Sequence, residues 1–254
     1  MIQTDRIYGS YPSSKLDLYH AGDDAPLFIY FHGGGLEKGS KENGNCGWAK
    51  ALMEAGISVA DANYRMYPEN TFPSFLEDAA ECVAWCRDNV PHSAIYIGGS
   101  SAGGYMTMML AFDPSYLGEY GINCADKADI AGYFCDAGQP TVHYNVLKYS
   151  GEDNRLIRVD ERSALWFIKQ AQAPEKLPRY ELIVSERDIY NRLEQNRLLY
   201  RTLLHFGYPE ANIGYTYMEG FGHCGYIHTQ KEDGSWLFAR MVQNFISGKT
   251  PVCG

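Results

Sequence analysis

The sequence predicts an α/β fold built on a mostly parallel sheet with helices on both faces. Short β-rich runs that are apolar on consecutive residues alternate with stretches of helical periodicity, the pattern of strands buried on both sides. The chemically suggestive residues fall just after those runs, where parallel sheets place their sites. The chain has 254 residues, 45% hydrophobic and 21% charged, enough for one α/β core without disulfides or a metal.

Taken in order, the elements are these. Residues 5–8 and 15–20 read as a hairpin. Residues 26–31 (PLFIYF) are a continuous apolar, β-rich strand, and residues 57–60 resemble the next. Phe75, Ala79, Cys82, Val83 and Cys86 recur at helical spacing, with Pro73 just before that helix and Pro91 just after it. Cys82 and Cys86 are therefore expected on a helix core face rather than as metal ligands. Residues 94–97 are a third buried strand, followed at once by glycines and a helix over 102–111. Residues 130–135 and 180–184 form the next strands. A long helix is expected over 190–206, a strand over 212–218 and an amphipathic closing helix over 236–246.

Composition narrows the function classes. Lys and Arg number 22 against 31 Asp and Glu, a net charge of −9, which disfavours a nucleic-acid partner. No apolar run approaches the ~20 residues that span a bilayer, so no membrane segment is expected. The start, MIQTDRIYGS, lacks a basic stretch followed by an apolar one, so no signal peptide is expected. The seven cysteines (Cys46, Cys82, Cys86, Cys124, Cys135, Cys224 and Cys253) are odd in number and lack a CxxC pair. That pattern predicts reduced thiols and a cytoplasmic protein. The seven histidines show no metal-ligand spacing, and no metal or organic cofactor is expected. A homo-oligomer is allowed but not indicated.

Four motifs carry chemistry. Gly99-Ser100-Ser101-Ala102-Gly103 is a G-x-S-x-G between a buried strand and a helix, the context in which a tight turn exposes a serine at a helix N-terminus. Only Ser101 fits the register, because Ser100 would need glycine where Ala102 stands. His32-Gly33-Gly34-Gly35 follows the 26–31 strand, and its glycines allow close approach of backbone N–H donors to an oxyanion. His32 itself is expected to order that loop. His223 lies between glycines after the last strand, as a base that reaches a serine would; His143 and His228 compete with it. Asp188 and Glu186 both follow the 180–184 strand as candidates for the acid that orients the histidine. Asp188 is preferred, since the acid normally stands a few residues beyond such a strand. The order Ser101, Asp188, His223 results.

On these motifs the chain resembles the α/β-hydrolase superfamily, in the branch of hormone-sensitive-lipase-like and bacterial carbohydrate-esterase-like serine esterases. His32–Gly35, Tyr64-Arg65-Met66-Tyr67-Pro68-Glu69, Phe72-Pro73, Glu77-Asp78 and Gly99–Gly104 match that branch in order and spacing. The resemblance implies an α/β-hydrolase fold, Ser–His–Asp chemistry and a small-molecule ester substrate. It also implies that the N–H groups of Gly34, Gly35 and Ala102 form the oxyanion hole. Three departures stand out: Ser100 replaces the acidic residue usual before the nucleophile, Ile189 replaces a proline after the acid, and the long N-terminal cap is missing, the strand before the glycines starting at residue 26. A small lid is expected within 138–177, which carries Tyr144, Tyr149, Trp166 and Phe167.

The expected activity is hydrolysis of short, acetyl-type esters of sugars or plant phenolics by a single 1–254 domain. The 20 tyrosines suggest ring-stacking walls at Tyr105, Tyr133, Tyr144 and Tyr226. Cys224, beside His223, is expected at the pocket rim and open to thiol reagents. The alternatives are an amidase or formamidase of the same fold and a non-catalytic hydrolase-fold binding protein. Leu36-Glu37-Lys38 after the glycines counts against the formamidase, whose relatives usually carry an aromatic residue there.

Overall fold

A computed structural model describes residues 1–44 and 47–249. Cys46 and Cys253 lie outside the described residues. The strands are β1 (Ile2–Ile7), β2 (Lys15–Tyr19), β3 (Leu27–Phe31), β4 (Ser58–Ala62), β5 (Ile95–Ser100), β6 (Gly132–Asp136), β7 (Arg179–Arg187) and β8 (Ile213–Gly222). They form one sheet in the order β1-β2-β4-β3-β5-β6-β7-β8. β1 and β2 pair antiparallel, as does β2 with β4; every later pairing, from β3/β4 to β7/β8, is parallel. The helices are α1 (Lys41–Gly44), α2 (Trp48–Glu54), α3 (Ser74–Asn89), α4 (Ala102–Phe112), α5 (Pro114–Gly118), α6 (Tyr144–Tyr149), α7 (Ala164–Phe167), α8 (Arg192–His205) and α9 (Leu237–Ile246).

β3 shows why the continuous apolar runs are strands. Leu27, Ile29 and Phe31 enter one buried layer with α3, α4 and α8, while Phe28 and Tyr30 enter the other with α2 and α9. The period-two alternation fills both layers from one strand. Cys82 and Cys86 lie in the first layer, on the buried side of α3. α2 escapes the periodicity reading because only Trp48, Ala49 and Leu52 mark its buried face, too few to define a helical stripe.

Three of the sequence landmarks are struts. Asp78 is fully buried and accepts from Arg65 Nε at 2.8 Å and from the Arg65 backbone N–H at 2.7 Å. The Arg65 guanidinium also reaches Ser74 O and Glu77. The segment after β4 is thereby fixed to α3. Tyr64 stacks on His32, 4.4 Å between centroids, and its hydroxyl donates to His32 O at 2.7 Å. Among the described residues no helix is long and apolar enough to cross a membrane.

Candidate active site

The C-terminal ends of β3, β5, β7 and β8 converge on one cleft of about 460 Å³. Ser101 stands between β5 and α4 with φ 56° and ψ −109°, a conformation that side chains rarely adopt. The surrounding structure enforces it. Ser101 N–H donates to Asp136 O at 2.8 Å, and Tyr105 N–H donates to Ser101 O at 2.9 Å. The small residues of the motif follow from packing: a Cβ on Gly103 would stand 1.9 Å from Phe31 O, so only glycine lets α4 approach β3.

His223 lies in the loop after β8 and bridges the other two residues. Its Nδ1 stands 2.5 Å from Asp188 Oδ1 and its Nε2 2.8 Å from Ser101 Oγ. A carboxylate only accepts, so Nδ1 carries the proton and Nε2 accepts from the serine hydroxyl. Asp188 also accepts from the backbone N–H of Ser185 and of Ile189. Burial pushes its carboxyl up, but His223 and these donors outweigh it and hold the carboxyl below its ordinary range. Glu186 turns away and accepts from Gly220 N–H at 2.8 Å. The constellation brings a hydroxyl, an imidazole and a carboxylate together within hydrogen-bond reach, an arrangement that can activate an oxygen nucleophile.

His32–Gly35 forms the opposite wall. Gly34 and Gly35 have φ +117° and +69°. A Cβ at Gly35 would stand 2.8 Å from the Tyr144 hydroxyl. Asn145 Nδ2 donates to Gly35 O at 2.5 Å and to Glu37, which also receives Lys148 Nζ and the Tyr149 hydroxyl. α6, inside the 138–177 stretch, therefore holds the glycine loop from outside. Ala102 is buried and opens α4 directly after Ser101. His32 is kept neutral by burial, which lowers its pKa to about 4; its Nδ1 donates to Gly33 O. His143 is fully buried and caps α6 by accepting Asn145 N–H; His228 lines the cleft.

The tyrosine expectation needs correction. Of the four, Tyr144 lines the cleft, while Tyr105, Tyr133 and Tyr226 are core residues absent from its lining. Tyr105 packs between Phe75 and His143 and donates to Arg162 O; Tyr133 stacks on Tyr180 and donates to Cys124 O. Tyr226 donates to Asp136 Oδ1. With helices on both faces of the sheet, Tyr133 on β6 and Tyr105 on α4 enter the layer of α3, α4 and α8, and Tyr226 enters the layer with α2 and α9. Cys224 lines the cleft as expected, but burial, together with the nearby Asp136 and Asp188 carboxylates, pushes its thiol well above the ordinary range. The residue is part-exposed, and the upward shift disfavours the thiolate that thiol reagents need.

Sequence reading missed Asp136 and Asn145. Asp136 had a usable signal, a carboxylate at the C-terminal end of a parallel strand. Asn145 had none, because its contact with Gly35 spans 110 residues. Among the described residues no group of three or more His, Cys, Asp or Glu is arranged to hold a metal.

A family profile described as alpha/beta hydrolase fold matches residues 28–160. An AB hydrolase superfamily protein of Schizosaccharomyces pombe is 33% identical over 91 residues, 34% of this chain and 27% of that protein. A rice (Oryza sativa subsp. japonica) protein named "Probable isoprenylcysteine alpha-carbonyl methylesterase ICMEL1" is 27% identical over 232 residues, 85% of this chain and 51% of that protein. The chain thus spans about a quarter to half the length of these curated relatives. Among solved structures, a truncated form of a carbohydrate esterase from gut microbiota superposes with a TM-score of 0.75 at 17% identity, covering 98% of this chain and 96% of that one. Esterase B from Lactobacillus rhamnosis gives 0.71 at 16% identity, covering 98% and 85%. These two likenesses are of fold.

Proposed function

The chain belongs to the α/β-hydrolase-fold family, and from that premise we propose that it is a serine carboxylic ester hydrolase acting on short, acetyl-type esters. The observation that carries the reading is the unbroken line Ser101 Oγ, His223 Nε2, His223 Nδ1, Asp188 Oδ1. His223 takes the Ser101 proton as Oγ bonds to the ester carbonyl carbon. The carbonyl oxygen becomes an oxyanion facing the N–H groups of Gly34, Gly35 and Ala102. The C–O bond to the alcohol then breaks, and His223 returns the proton to the leaving oxygen. Water repeats the sequence on the acyl-enzyme and frees the carboxylic acid.

A second cleft of about 420 Å³ shares Tyr144 and Ile189 with the first. Gln139, Asn154, Arg155 and Gln195 line it, and Tyr190 stands 89% exposed at its side. In this reading the acyl group lies beside Ser101 and a hydroxyl-bearing or phenolic alcohol lies in the second cleft, with Tyr144 and Tyr190 in the stacking role. Residues 138–177 act as the small cover of the single domain. The five described cysteines are free thiols, which supports a reducing, cytoplasmic setting.

The test is an ester panel from acetyl to decanoyl, with acetylated sugars, feruloyl esters and N-formylkynurenine, run on wild type and Ser101→Ala. Highest kcat/KM on acetyl esters, and loss of ~99% or more of it in S101A, is expected. Preference for the formamide overturns the ester assignment.

A further inference from the structure

We propose that Asp136 is a positioning residue of the hydrolytic centre, its one carboxylate tying the Ser101 turn to the His223 loop and setting a buried negative charge near the imidazole. The inference rests on the esterase reading above. Asp136 ends β6 in register with Ser100 of β5 and is fully buried. Its Oδ2 accepts from Ser100 Oγ at 2.5 Å, and its Oδ1 accepts from the Tyr226 hydroxyl. Its backbone oxygen accepts the Ser101 N–H. Ser100 immediately precedes the nucleophile, and Tyr226 stands three residues beyond His223. Tyr30, from β3, completes the network by donating to Ser100 Oγ at 2.9 Å.

Neutral groups would satisfy this network without the penalty of burying a charge. No lysine or arginine pairs with Asp136 among the described residues. The groups facing it are Tyr30 on β3, Ser100 on β5, Asp188 after β7, and His223, Cys224 and Tyr226 after β8. Burial pushes the carboxyl up to about 6, even though the two hydroxyl donors and His223 pull it down. Both of its oxygens accept from hydroxyl donors, the hydrogen-bond pattern of a carboxylate. When His223 takes the serine proton it becomes a cation paired with Asp188 and near enough to Asp136 to interact with it electrostatically. Asp188 holds it directly; Asp136 acts through space and through the loop that Tyr226 anchors. The position before the nucleophile, which lacks its usual acid, is thus served by an acid from the adjacent strand.

Asp136→Asn keeps shape and an acceptor but removes the charge. On nitrophenyl acetate it is expected to lower kcat by ~10–100-fold with KM within about twofold, and to move the acid limb of the kcat/KM profile to lower pH. Its melting temperature should equal or exceed wild type, because the cost of burying a charge with no cationic partner is gone. A folded D136N with wild-type kcat and an unmoved profile overturns the inference. If D136N fails to fold, Ser100→Ala and Tyr226→Phe decide. Each cuts one arm of the tie, and a several-fold loss of kcat is expected from each, whereas wild-type kcat in both overturns it. A wild-type protein that neither turns over esters nor labels at Ser101 defeats the esterase reading itself, which is a separate result.

Discussion

Asp188 and His223 meet through a 2.5 Å contact between Oδ1 and Nδ1, with the Asp188 side chain 2% exposed and the ring 24% exposed. The carboxylate is closed off from water while the imidazole remains open to the cleft. In the proposed mechanism the carboxylate orients the ring and stabilises its protonated form. Asp188→Asn is expected to reduce kcat by ~10³–10⁴-fold, because the amide favours the wrong tautomer. Glu186→Gln, on a side chain that serves Gly220, should leave kcat within about twofold. Steady-state kinetics on nitrophenyl acetate checks both.

The glycines separate activity from stability. Gly35→Ala forces a side chain onto φ +69° beside the Tyr144 hydroxyl, which should displace the donor loop and reduce kcat ~10²–10³-fold with a modest change in melting temperature. Gly103→Ala meets the Phe31 carbonyl at 1.9 Å. It should destabilise the fold by about 3 kcal/mol, seen in urea denaturation.

Asn145 supports the same loop from α6. Asn145→Ala removes the donor to Gly35 O and one of three donors to Glu37. Lowered kcat, by ~10-fold, with nearly constant KM is expected, since the loop's donors act on the oxyanion of the transition state rather than on the bound ester. A rise in KM alone would mark Asn145 as a binding residue instead.

Glu181 gives the pH dependence of stability a definite sign. It is 4% exposed, accepts from Thr216 at 2.5 Å, and burial pushes its carboxyl up to about 7. Folded protein therefore holds this proton after unfolded chain has lost it. The associated stability is complete below about pH 4.5 and is lost as pH rises through about 7. Glu181→Gln should erase that slope and gain up to about 3 kcal/mol over wild type at pH 8. Urea denaturation at pH 4.5 and 8 measures it; equal stability differences at the two pH values contradict the account.

Much of this was legible because the signals are local. The β3 run reads as a strand since both its faces are apolar, and Ser101 reads as the residue of a tight strand-to-helix turn since small residues must flank such a turn. Boundaries were less legible. β5 runs on through Gly98 and Gly99, which have weak strand propensity and are held there by parallel pairing with Tyr30 and Phe31 on one side and Phe134 and Cys135 on the other. The tyrosine roles were illegible for another reason: which layer a ring enters depends on neighbours far away in sequence. Asp136 and Tyr226 meet across 90 residues, and no periodicity encodes such a pair.

The most direct measurement is a peptide-resolved mass spectrum of the wild-type protein after treatment with a fluorophosphonate. The account predicts one adduct per chain, on the peptide bearing Ser101, accumulating in step with loss of ester turnover. An adduct on another residue, or none while turnover persists, would contradict it.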